Sequence, residues 1–150
     1  MKQIIRLLFL TILFINSGCN TEKECGECFT PPTPFLFEII DKETRENLFT
    51  NGTYESSQIE IKNIVDNSNF EYTFLSENNY NLIQINSIGW YTETVNISVK
   101  IGTNDIFNFY VDAERLSEDC CSFTKYHEIR IDNSEFELDS TTGIYRIITE

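Results

Sequence analysis

The clearest pattern in the chain is alternation. In YTETVNISVKI, residues 91–101, Val95, Ile97, Val99 and Ile101 fall on one side. Thr92, Thr94, Asn96, Ser98 and Lys100 fall on the other. Successive side chains of an extended strand point to opposite faces, so a period of two predicts a half-buried strand. Phe107, Phe109 and Val111 continue the pattern, with Asn108, Tyr110 and Asp112 between them. It recurs at Phe35, Phe37 and Ile39, at Ile59 and Ile61, and at Phe70, Tyr72 and Phe74. Turn chemistry separates the runs at Asn51-Gly52, at 76–79, at 102–105 and at Thr142-Gly143. The expected fold is all-β, an antiparallel sandwich of about eight or nine strands over residues 34–150. No internal repeat is visible.

The first residues follow a different pattern. Leu7–Ile15 is a nine-residue apolar run interrupted only by Thr11, preceded by Lys2 and Arg6, with no acid before Glu22. A helix rises about 1.5 Å per residue, so this run is too short for a hydrocarbon core of about 30 Å. A basic start, a short apolar run and small residues before a cleavage point predict a secretory signal over residues 1–18. Asn16-Ser17-Gly18-Cys19 resembles the lipobox of bacterial lipoproteins, with Asn16 where Leu is usual. The resemblance implies an acylated Cys19 as the mature N-terminus and a lipid anchor in the outer membrane. Residues 19–33 then read as a tether, broken by Pro31, Pro32 and Gly26.

Charge narrows the partners. The whole chain carries −13. Loss of residues 1–18 removes Lys2 and Arg6, leaving 9 basic against 24 acidic residues, or −15. Such a surface repels nucleic acid. Ala113 is the only alanine, which argues against helix. The bias toward Asn, Ile, Phe, Tyr and Glu, with acids close after Cys19, is similar to surface lipoproteins of the Bacteroidetes.

A second resemblance lies in FEIIDKETRENLF, residues 37–49. It is similar to the opening strand and turn of carboxypeptidase regulatory-like domains, which are small transthyretin-like sandwiches. Asp41, Thr44 and Glu46 match, and Arg45 stands where glycine is usual. INSIGWYTETVNISV, residues 85–99, resembles the later strand pair, with Gly89 and Trp90. The likeness spans about residues 35–112 and implies a non-catalytic accessory or carrier fold.

The sequence holds few residues suited to catalysis. His127 is the single histidine, and its parity with Phe123, Ile129 and Ile131 predicts an inward or marginal structural role. No Gly-x-Ser-x-Gly elbow, His-Glu-x-x-His pair, P-loop or dinucleotide fingerprint occurs. Asp132-Asn133-Ser134-Glu135 offers oxygens, but without calcium-loop spacing it reads as a capped turn. Asp139-Ser140-Thr141 resembles the O-glycosylation motif of Bacteroidetes proteins and makes Ser140 a candidate acceptor. No catalytic residue, metal ligand or cofactor is expected.

Four cysteines remain after Cys19: Cys25, Cys28, Cys120 and Cys121. In an exported chain an even number predicts disulfides. Adjacent Cys120 and Cys121 are poorly placed to bridge each other or to complete a zinc tetrahedron. The expectation is two cross-links joining 25/28 to 120/121, with the connectivity open. The functional expectation is a lipid-anchored envelope module that binds another envelope protein or a glycan. The alternatives are a small exported hydrolase using carboxylates and a purely structural lipoprotein.

Overall fold

Alternating side chains need a partner layer, and two five-stranded sheets supply it. The computed structural model describes residues 28–77, 80–118 and 120–150. The expectations for the signal segment 1–18, for Cys19, for Cys25 and for the tether before residue 28 lie outside them. The described strands are β1 (Cys28–Phe29), β2 (Phe35–Asp41), β3 (Ile59–Asn63), β4 (Thr73–Leu75) and β5 (Leu82–Ile85). They continue with β6 (Glu93–Ile101), β7 (Asn104–Glu118), β8 (Cys121–Asp132), β9 (Glu135–Leu138) and β10 (Ile144–Thr149).

One sheet runs β1-β8-β7-β6-β3 and the other β4-β5-β2-β10-β9. The sandwich is therefore all-β as expected, with ten described strands. It is not wholly antiparallel: β1 runs parallel to β8, and β10 runs parallel to β2. Residues 28–33, assigned to the tether from sequence, carry β1 and cross from one sheet to the other before β2. Phe70 and Tyr72, expected in a strand with Phe74, lie in the connection before the short β4.

The core sits between the sheets. Phe37, Ile39, Ile83, Ile97, Phe109, Val111 and Ile147 are fully buried. Phe37 meets Phe107 at 5.0 Å and Phe109 at 4.9 Å between ring centroids, and Phe35 meets Phe109 at 4.9 Å. Each such ring contributes roughly 1.5–3 kcal/mol through burial.

The opening turn is held by Asp41. Its Oδ1 accepts from the backbone N–H of Glu43 at 3.0 Å and of Thr44 at 2.7 Å, and from the Thr44 hydroxyl at 2.9 Å. Arg45 follows at φ 62°, in the left-handed region where glycine is usual.

The long strand β8 breaks the expected alternation. Its pairing with β7 slips between Asp112 and Ala113, so Glu128 faces Asp112 while Tyr126 faces Ala113. His127 is the extra residue of this bulge. The bulge puts Tyr126 inward, where its ring meets Phe35 at 5.4 Å. His127 is exposed on the outer face, with Nε2 2.8 Å from Glu114 Oε2. Of the two expected placements of His127, inward or at a sheet margin, the inward one is corrected: it lies on the outer face of β8, near the sheet's edge, and Phe123 falls by alternation on the opposite face from Ile131.

Candidate functional site

The two ends of the sandwich have different chemistry. At the entry end, a disulfide joins Cys28 to Cys121, with Cα atoms 4.5 Å apart. Cys120 is likewise disulfide-bonded. The second expected cross-link, which takes Cys25, reaches outside the described residues. Thr30 N–H donates to Ser122 O at 2.9 Å and continues the β1 pairing.

Side chains lock this entry in place. Phe29 stacks on Trp90 at 5.8 Å, and the Arg115 guanidinium lies 5.1 Å from the Phe29 ring centre. Arg115 also donates to Thr30 O at 3.0 Å and to the Thr124 hydroxyl at 2.8 Å. Gly89 is at the crossing point, with φ +92°. A Cβ there would come within 2.8 Å of Thr124 Cγ2, 2.9 Å of Tyr126 Oη and 3.3 Å of Pro32 Cβ. Only glycine allows the entry segment, β8 and the 86–92 turn to meet so closely. Thr124 donates to Gly89 O at 2.6 Å, and Glu93 accepts from Gly89 N–H at 2.7 Å. The entry end is thus a latch that fixes where the chain joins the domain.

The far end carries a cleft of about 540 Å³. The turn between β6 and β7, the corner between β8 and β9, and the ends of β2 and β10 converge there. Its walls include Lys42, Tyr54, Asn104, Asp105, Glu135 and Glu150. Asn104 donates to the Tyr54 hydroxyl at 3.3 Å. Lys42 Nζ lies 3.6 Å from Glu135, and Lys100 lies 2.7 Å from Asp105. Asp105 pairing raises the Lys100 pKa. Ser134 donates to Ile148 O at 3.1 Å and tightens the β8–β9 corner. Thr149, another wall residue, has a buried hydroxyl without a hydrogen-bond partner among the described residues. The cleft therefore offers amide, hydroxyl, ammonium and carboxylate groups around one tyrosine ring.

Other residues singled out from sequence are scattered. In the 132–135 corner, Asp132 takes Arg130 at 2.9 Å and Glu135 takes Lys42, so both carboxylates already hold cations. Among the described residues no group of three or more His, Cys, Asp or Glu side chains is placed to hold a metal ion. Ser140 is exposed in the turn after β9, where Asp139 Oδ1 accepts from Thr141 N–H at 2.9 Å. Those hydrogen bonds hold the Asp139 carboxyl below its ordinary value. Tyr54 and Asn104 were not singled out from sequence. Each stands near a legible turn, but their meeting depends on the sheet topology. The chain matches no protein-family model, no curated protein and no solved structure.

Proposed function

We infer that the protein is a lipid-anchored envelope module that binds a hydroxyl-rich ligand, a glycan segment, in its far-end cleft. The observation that carries this reading is the opposition of latch and cleft. The strand β8 begins at the Cys28–Cys121 disulfide and ends at the corner that walls the cleft. Its 12 residues span about 36 Å at ~3.3 Å per step. A chain held by Cys19 enters at one end and presents the cleft at the other. The disulfide suits an oxidising compartment, as a signal and lipobox require. Arg45 at φ 62° supports the likeness to carboxypeptidase regulatory-like domains, because it takes the glycine-like conformation where that turn usually has glycine.

The hydrolase alternative needs a carboxyl with a raised pKa to act as general acid. Hydrogen bonds from their own turns push Asp41, Asp66 and Asp139 the other way.

Two measurements test the reading. Cys19→Ser should move the protein from the detergent phase to the aqueous phase, and a variant that stays membrane-bound overturns the anchor. The mature chain should bind a subset of an envelope-glycan array, with Asn104→Ala and Lys42→Ala reducing that binding. Signal unchanged by both substitutions, or none at all, rejects the cleft as the site.

A further inference from the structure

The two long sides of the sandwich are finished differently. On the β3–β4 side the chain covers its own edge. Phe70 N–H donates to Ile61 O at 2.8 Å, Asn63 N–H donates to Ser68 O at 2.9 Å, and the Tyr72 hydroxyl donates to Ile59 O at 3.1 Å. The inner side chains Ile59 and Ile61 are buried as a result.

On the β8–β9 side, nothing among the described residues pairs with the outer edge of β8 beyond Ser122. Nor does any described strand lie beyond β9. Ile129 pairs with Val111, Phe136 with Ile147 and Leu138 with Tyr145, so all three face inward between the sheets. Yet Ile129 is 39% exposed, Phe136 44% and Leu138 51%. An unpaired strand edge beside open apolar side chains is a template for another strand.

The charges on β8 indicate which strand. Glu128, Ile129 and Arg130 read acid–apolar–base, symmetrical about Ile129. We propose that the β8–β9 side pairs with the same side of a second copy, antiparallel about a two-fold axis through Ile129. Within one copy Arg130 already holds Glu128 at 2.5 Å and Asp132 at 2.9 Å. In the pair each Glu128 also faces Arg130 of the other copy, which turns the two in-strand pairs into a four-charge cluster, and the two Ile129 side chains cover each other. Cross-strand neighbours sit about 5 Å apart, where opposite charges attract and like charges repel. The net charge of each copy opposes association, but charges beyond about 8 Å are largely screened at physiological salt. The facing pairs lie inside that range. Isologous contact of this kind closes at two copies.

Charge reversal tests the register. Sedimentation equilibrium of the full chain in non-ionic detergent should give a concentration-dependent dimer. Glu128→Arg alone places Arg opposite Arg130 at both symmetric positions, and Arg130→Glu alone places Glu opposite Glu128. Each should weaken the dimer by about tenfold or more. The double variant restores both pairs and should recover dimerisation. Thermal melting of each variant separates loss of pairing from loss of fold. Under mild oxidation Ile129→Cys should give a covalent dimer on a non-reducing gel, whereas Val65→Cys, on the covered side, should not. A monomer at every concentration overturns the proposal and leaves the edge to a strand of another protein. Dimers indifferent to either single reversal, or equal cross-linking from both cysteines, overturn it as well.

Discussion

The covered side and the open side of this sandwich are built from similar residues and reach different ends. Ile61 on β3 and Ile129 on β8 are both isoleucines on inward strand positions. Ile61 is 2% exposed and Ile129 is 39% exposed. The difference arises outside the strands. The 64–72 connection folds back on β3, supplies its missing hydrogen bonds and packs Phe70 and Tyr72 against the core. The strand β8 turns directly into β9 through Asn133 and Ser134, and among the described residues none beyond the β1 segment covers its edge. Alternation sets which way a side chain points, and burial depends on what lies beyond it.

The contrast can be broken most strongly at the disulfide, which holds β1, among the described residues the one strand on the outer side of β8. The Cys28–Cys121 bond spans 93 residues of sequence. In the chain-entropy model a loop of that size stabilises by roughly 4–5 kcal/mol. Complete reduction is expected to lower the denaturation midpoint accordingly, read by urea titration with and without reductant. Loss of protection at Phe29 and Thr30, read by hydrogen exchange, should precede global unfolding.

Matched truncations measure the two sides directly. Ile61→Ala should cost about 2–5 kcal/mol, because it leaves a cavity in a closed core. Ile129→Ala should cost about 1 kcal/mol or less, because part of its surface is already in water. Equal losses in urea unfolding would show that both isoleucines are covered alike in solution.

Acid should loosen the covered side first at its connection. The Ser68 hydroxyl and backbone N–H, both bonded to Asp66 Oδ1, hold the Asp66 carboxyl below its ordinary value of 3.8. A group depressed in the folded state stabilises above its unfolded pKa. That contribution is lost as pH falls below 3.8 toward the folded value. Asp66→Asn should therefore lower the melting temperature at neutral pH and have little effect near the acid limit. An equal effect at both extremes contradicts this role for Asp66.

The smallest expected effect lies at the bulge. His127 and Glu114 form an exposed pair, and exposed pairs contribute about 0–1 kcal/mol. His127→Ala should leave stability nearly unchanged, whereas Tyr126→Ala removes the ring against Phe35 and should cost clearly more. A larger loss from His127→Ala would mean that alternation, and not the bulge, describes this part of β8.

The strands β6 and β7 were legible from sequence because each has a neighbour on both edges and one face on the core. Their side chains therefore alternate cleanly. The strand β8 was misread because one extra residue reverses the parity of everything before it. The bulge is located by the slip opposite Asp112 and Ala113, 15 residues upstream of His127 at most. The cleft was legible only as separate turns. Asn51-Gly52, Gly102–Asp105 and the 132–135 corner each announce a reversal of the chain, but not which reversals share an end.

The sequence by itself determined the all-β class, the inward set of β6 and β7, the turn chemistry and the range over which 28 and 121 could meet. These follow from local rules: a period of two, the φ preferences of Gly and Asn, and the spacing of the cysteines. Only the tertiary structure decided that β2 and β10 run parallel, that Gly89 lies under Pro32 and Thr124, and that one side is covered and the other open. Those outcomes depend on contacts between residues far apart in the chain. Local pattern carries no information about which distant strand will supply the other half of a hydrogen bond.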